Sequence, residues 1–278
     1  MSVTTGPTAN PGLLCTAEQL RAVLGKPGLS VVDTRQAEHF ASGRIPGARH
    51  FDPYFVNCDD TDPAPLASFT RMWANMLGWR GVKVSDTIVV YGAFSDMCAA
   101  RAFWFAEYLG VKNVHVLDGG IKAWTEAGFE TERDSAPPAS VKFAYEAAHD
   151  RVATYASILS AIDDPASLIL DNRSHAEFTG EDRRAKYGGA IPSARHCDWK
   201  ELYDHATGRM KPADELQRIF DARGVTPDKE IIVYCNTGFR SAHAYLALRL
   251  LGYPRVRNYV GSWQEWGNRE GLPIVRPG

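Results

Sequence analysis

Short, wholly apolar runs alternate along this chain with longer segments whose apolar residues recur at helical spacing. LSVVD, TIVVY, VHVL and IIVY are runs of four or five residues dominated by Val and Ile, and IIVY is wholly β-branched or aromatic, the mark of buried strands. Between them TAEQLRAVLG, ASFTRMWANMLGW, AARAFWFAEYLG and SAHAYLALRLLG predict helices, and IKAWTEAG follows VHVL. In the first of these Thr16 is placed to act as N-cap, with Leu20, Val23 and Leu24 as the apolar face. Gly43, Pro46 and Gly47 punctuate a loop before a short strand, and TDPAP (Thr61 to Pro65) reads as another loop. Strands that alternate with helices predict an α/β fold, here a small parallel sheet with helices on both faces.

The same words are then written a second time. Asp33-Thr34-Arg35 returns as Asp171-Asn172-Arg173, SGRIPGARH as GGAIPSARH, IVVY as IIVY, and GGIKAWT as GSWQEWG. The offsets are 138 from Asp33 to Asp171, 146 from Pro46 to Pro192, 143 from Tyr91 to Tyr234 and 142 from Trp124 to Trp266. Nearly constant offsets predict a duplicated domain, and the rise from 138 to 146 marks an insertion around Gly180 to Tyr187 (GEDRRAKY). The charged, then Pro-rich ETERDSAPPAS, with Pro137 and Pro138 adjacent, has the composition of an extended linker. The expected division is a first domain over 1–135, a linker over 136–150 and a second domain over 151–278. Residues 1–15 read as loose.

Composition narrows the function classes. The 278 residues are 45% apolar and 23% charged, the balance of a soluble globular protein, and are long enough for two domains. A net charge of −2 gives no electrostatic reason to expect nucleic acid or an anionic membrane as partner. The N-terminal stretch has no basic region followed by an apolar core, and no run approaches the roughly 18 apolar residues of a membrane span, so a cytoplasmic protein is expected. Five scattered cysteines without a CxxC pair argue against a disulfide framework or a structural zinc site.

One cysteine has a distinctive address. Cys235 follows the apolar run IIVY directly and opens CNTGFRS, the loop that leads into SAHAYLALRLLG. Inward backbone N–H groups and a helix N-terminus stabilise an anion at the centre of such a loop. For a cysteine that anion is its own thiolate, and thiols so placed have pKa values from about 3.5 to 7.5 against about 8.5 when free. Cys235 is therefore the candidate nucleophile, against the alternative of a small buried apolar residue. The first copy has Gly92 at the matching place, in a loop read as having a different length, with Asp96 nearby and Cys98 too late to substitute. One chemical site per chain follows.

The paired D-x-R and G-x-I-P-x-A boxes, the loop CNTGFR and the ending VRNYVGSWQEWG, taken together, resemble the rhodanese family of sulfurtransferases in its tandem two-domain form. The resemblance runs from about Thr16 to Pro273. It implies two rhodanese-like domains and a Cys235 that alternates between thiolate and persulfide, taking sulfane sulfur from a small-molecule donor and passing it to a thiol or cyanide. It requires no metal and no organic cofactor. Asn236, Thr237, Gly238, Phe239, Arg240 and Ser241 would cradle the persulfide sulfur. Arg240 either binds the donor's anionic group or closes the loop through backbone carbonyls; Ser241 and Thr237 either donate to sulfur or cap the helix. Arg183 and Arg184, in the insertion, are a candidate basic rim for an anionic donor or an ordinary charged surface. Asp171 and Arg173 occur in both copies and read as a structural ion pair, as His50 and His196 read as structural. Trp73, Trp79, Phe103 and Trp104 read as core or domain interface. Thiosulfate is the favoured donor, 3-mercaptopyruvate the alternative; in members that use the latter an arginine is expected where this chain has Glu177, a residue that would repel a carboxylate if turned inward. A cysteine-loop phosphatase or arsenate reductase and a non-catalytic binding module are the rival classes.

Overall fold

The computed structural model describes residues 10–54, 56–134, 136 and 138–277; the expectations for residues 1–9 and for Pro137 fall outside them. The first half runs β1 (Leu14–Cys15), α1 (Ala17–Val23), β2 (Leu29–Asp33), α2 (Ala37–Ser42), β3 (Arg49–His50), α3 (Pro63–Trp79), β4 (Thr87–Tyr91), α4 (Met97–Tyr108), β5 (Val114–Leu117) and α5 (Gly120–Glu126). The second half repeats it as β6 (Val152–Ala153), α6 (Tyr155–Ala161), β7 (Ser167–Asp171), α7 (His175–Thr179), β8 (Arg195–His196), α8 (Ala213–Asp221), β9 (Glu230–Tyr234), α9 (Arg240–Leu250), β10 (Val256–Tyr259) and α10 (Ser262–Trp266). The sheets have the same parallel order, β1-β5-β4-β2-β3 and β6-β10-β9-β7-β8. The chain is thus two copies of one α/β unit.

Alternation along the strands builds the layers. Val31, Val89 and Tyr91 pack with Leu20 of α1 and Trp124 of α5, while Val32, Ile88 and Val90 pack with α3 and α4 on the opposite face. That second cluster continues through α4 into α9 and the apolar face of β7 and β9, so one apolar core crosses from copy to copy. Glu107 of α4 ties the same contact with polar groups, accepting from Tyr245 at 2.6 Å and pairing with Arg249 at 3.2 Å.

Several local expectations change. Thr16 does cap α1, in a capping box with Gln19, but Val23 is 36% exposed rather than part of the buried face. α3 begins at Pro63, inside the stretch read as loop, because a proline at the first helical position loses no needed hydrogen bond. Trp73, Phe103 and Trp104 are fully buried, Trp73 stacking on Phe105 at 3.9 Å, whereas Trp79 is 63% exposed. The described residues of the joining segment carry no regular element before a 3-10 turn at His149–Arg151, yet the segment is pinned to the first copy: Val141 N–H donates to Gly78, Ala148 N–H to Tyr108, and Phe143 is buried.

Candidate active site

Cys235 opens the five-residue connection between β9 and α9 and is 1% exposed. The backbone turns back at Gly238, whose φ of +83° suits glycine, and so brings the Gly238 N–H to 3.1 Å from the sulfur. The Ser241 hydroxyl lies 3.6 Å from the sulfur and 2.7 Å from Asn258 Oδ1. The loop's carbonyls are satisfied from outside. Trp263 N–H donates to Cys235 O at 3.0 Å, Gln264 N–H to Asn236 O at 2.8 Å, and Asn258 Nδ2 to Gly238 O at 3.1 Å. With those oxygens held outward, amide hydrogens are left to face the sulfur. Neither Ser241 nor Thr237 caps α9, whose N-cap is Phe239 without a side-chain bond. Asn236 Oδ1 is buried without a partner among the described residues.

The electrostatic consequence separates this thiol from the rest. Burial pushes Cys15, Cys58 and Cys197 up to about 12 and raises Cys98 as well. Burial opposes ionisation at Cys235 too. There the Arg240 charge, the Ser241 N–H and hydroxyl, and the Thr237 N–H outweigh it, and the pKa falls below the ordinary thiol value.

Among the described residues Arg240 donates to a carboxylate and not to backbone carbonyls. Its guanidinium grips the Glu177 carboxylate with two bonds of 2.6 and 2.8 Å. Glu177, 2% exposed, also accepts from the Ser174 N–H and hydroxyl in the capping box of α7. Burial would raise its pKa, but Arg240 and Ser174 hold it down to about 2, an anion at every working pH. Its charge is turned toward Arg240. Arg184 Nε stands 3.6 Å from Glu177 and from Asp182, so it joins this cluster. Arg183 is exposed, its stem against Gly188, and is not drawn into it.

Asp171 and Arg173 form an ion pair with both side chains buried, the shortest contact being 2.5 Å. Arg173 also donates to Gly189 O at 2.7 Å and its guanidinium lies 4.2 Å from the Trp263 ring centroid. Tyr234, at the end of β9, donates to Asp171 and accepts the Ile191 N–H. The first copy repeats these hydrogen bonds with Arg35, Asp33, Gly43, Tyr91 and Ile45, though Arg35 is only half-buried. The D-x-R arginine therefore clamps the G-x-I-P loop, and the strand-end tyrosine locks both. His196 and His50 bond Arg173 O and Arg35 O in the same register.

The β4–α4 connection is five residues long, equal to its partner, which corrects the expected difference in length. The Asp96 carboxylate accepts the N–H groups of Ala93, Cys98 and Ala99 at 2.9 to 3.0 Å. A Cβ added at Gly92 would lie 2.0 Å from that carboxylate. The first cradle is thus filled by the chain's own carboxyl group, whose pKa burial raises against the pull of those N–H groups, in the space a cysteine at Gly92 would need.

The first copy instead sends a cation to the second. Arg101, midway along α4, is 0% exposed, and its guanidinium lies 4.7 Å from the Phe239 ring centroid and 5.2 Å from that of Trp104. Its Nη1 would stand 2.2 Å from a Cβ at Gly238. Its one trace in the sequence is a lone charge within AARAFWFA, which does not say what it faces. Among the described residues no group of three or more His, Cys, Asp or Glu could hold a metal ion, and no helix is long and apolar enough to cross a membrane.

A family model of the rhodanese-like domain matches this chain twice, over residues 16–127 and 154–269. The chain belongs to the rhodanese family of sulfurtransferases. This rhodanese is 32% identical over 286 aligned residues to the sulfur carrier protein TtuD of Thermus thermophilus, covering 96% of this chain and 98% of that one. It is 32% identical to the thiosulfate sulfurtransferase of Azotobacter vinelandii, over 94% of this chain and 96% of the relative. Among solved structures it superposes on SseA from Escherichia coli, described as a 3-mercaptopyruvate sulfotransferase, with a TM-score of 0.78 and 28% identity over 90% of this chain and 98% of SseA.

Proposed function

We propose that this rhodanese moves sulfane sulfur from thiosulfate to a thiophilic acceptor through a persulfide on Cys235. The observation that carries the reading is a buried sulfur that meets the Gly238 N–H at 3.1 Å and has a lowered pKa where every other cysteine's is raised. The Cys235 thiolate attacks the outer sulfur of thiosulfate, the S–S bond breaks, and sulfite leaves with the electron pair. The persulfide carries the negative charge on its terminal sulfur, within reach of the N–H groups from Asn236 to Ser241. Cyanide or an acceptor thiolate then takes that sulfur, as thiocyanate or a new persulfide, and returns the Cys235 thiolate.

The Arg240–Glu177 pair favours thiosulfate over 3-mercaptopyruvate. Both prongs of Arg240 are already committed to a carboxylate, so they are not free to grip a substrate's carboxylate. The same commitment argues against a phosphatase, which would need that arginine on the phosphoryl oxygens. We read 151–278 as the catalytic domain, braced by the Asp171–Arg173 clamp, 1–135 as its supporting partner and 136–150 as the connection. The test is thiocyanate formation from cyanide with thiosulfate and with 3-mercaptopyruvate side by side, using Cys235→Ser as blank. Turnover with thiosulfate that vanishes in the blank is expected; a preference for 3-mercaptopyruvate would overturn the donor assignment, and activity surviving in Cys235→Ser would overturn the mechanism.

A further inference from the structure

Resting on the sulfur-transfer reading, we propose that Arg101 of the first copy binds the anionic oxygens of the donor at the Cys235 centre, so that donor recognition is divided between the two halves of the chain. This chain shows how it anchors a buried arginine for structure. Arg35 and Arg173 each have a two-pronged carboxylate, a backbone carbonyl and an aromatic face. Arg101 is as deeply buried and has the aromatic faces of Phe239 and Trp104, yet its Nε, Nη1 and Nη2 all lack a hydrogen-bond partner among the described residues.

A guanidinium taken from water without an acceptor is costly, and the cost falls when an anion arrives. Burial lowers its pKa only to about 10, so it is charged at neutral pH, and the Cys235 sulfur is the first charge it feels. Its position is that of a ligand group. Nη1 abuts Gly238, the residue whose N–H donates to the sulfur, and the guanidinium covers Phe239, the next residue of the loop. Arg240 is paired with Glu177, whereas Arg101 beside the same loop has no carboxylate or carbonyl partner among the described residues. Its planar fork suits the trigonal oxygens of a sulfonate-like group.

The experiment separates binding from chemistry. In a Cys235→Ser background, which cannot form a persulfide, thiosulfate is titrated by calorimetry into the parent and into Arg101→Lys and Arg101→Met. Met is expected to weaken binding at least ten-fold and Lys by less, since Lys keeps the charge and loses the fork. Arg101→Met is also expected to hold or raise the thermal midpoint, because it removes an unpartnered buried charge; a purely structural arginine would lower the midpoint and leave affinity unchanged. Equal thiosulfate affinity in parent and variants would overturn the proposal, with Lys deciding if the Met protein does not fold. Mass spectrometry of the otherwise unaltered chain after thiosulfate reports separately on the persulfide: no added sulfur there would sink the transfer reading, whatever the binding result.

Discussion

Gly238→Ala tests the geometry at the sulfur more directly than any change to the sulfur itself. The residue holds φ at +83°, which costs an L-residue about 1–2 kcal/mol. The added Cβ would also meet Arg101 Nη1 at 2.2 Å and Val260 O at 3.1 Å, and overpacking of that kind costs about 1–3 kcal/mol. Arg101 cannot yield by swinging into water, because it is fully enclosed between the copies. The expected loss is therefore about 2–5 kcal/mol, read as a lowered urea midpoint. The shifted loop would also carry the Gly238 N–H away from the sulfur, so the pH midpoint for alkylation of Cys235 by iodoacetamide should rise. Adding Arg101→Met removes the clashing atoms and should restore the overpacking share while leaving the backbone share, a coupling that a double-mutant cycle measures. A loss under about 1 kcal/mol with an unchanged alkylation midpoint, or strict additivity with Arg101→Met, would refute the reasoning.

Glu177→Gln leaves Arg240 without its counter-charge, and a loss of roughly 1–3 kcal/mol is expected at pH 7, below that for a fully buried pair because Arg240 retains 17% exposure. Glu177's pKa is depressed to about 2, so its stabilisation is present above the unfolded value near 4.3 and is lost as pH falls toward 2; unfolding midpoints of the two proteins should converge over that interval. The same variant should lower the KM for thiosulfate, and an unchanged KM would mean that the pair lies outside the donor's field. For Cys235 the depressed pKa means that thiolate-dependent persulfidation falls as pH drops through a midpoint below about 8.5, seen by single-turnover mass spectrometry; a midpoint at or above that value would contradict the cradle.

What could be read beforehand and what could not divide along one line, the range in sequence over which a signal acts. Strand runs, the Thr16 cap and the duplicated boxes are local patterns, and the strand–loop–helix around Cys235 is fully local, so residue types and spacing sufficed. The D-x-R boxes were legible as a pair but not as a clamp, because the Tyr234 hydroxyl that locks Asp171 lies 63 positions away inside a run that reads only as strand. Arg240 reads from the sequence as a partner of loop carbonyls or of the donor, because the residue it pairs with, Glu177, is equally remote.

Arg101 was hidden most thoroughly, since its meaning exists only in the packing of α4 against α9. Duplication explains how that packing became useful. The loops that open α4 and α9 have equal length, the two helices share one apolar core, and in the first loop the Asp96 side chain takes the place an anion would fill. The α4 helix that closes the first cradle carries two charged side chains: Glu107 pairs with α9, while Arg101 lies against the loop that still holds a reactive sulfur.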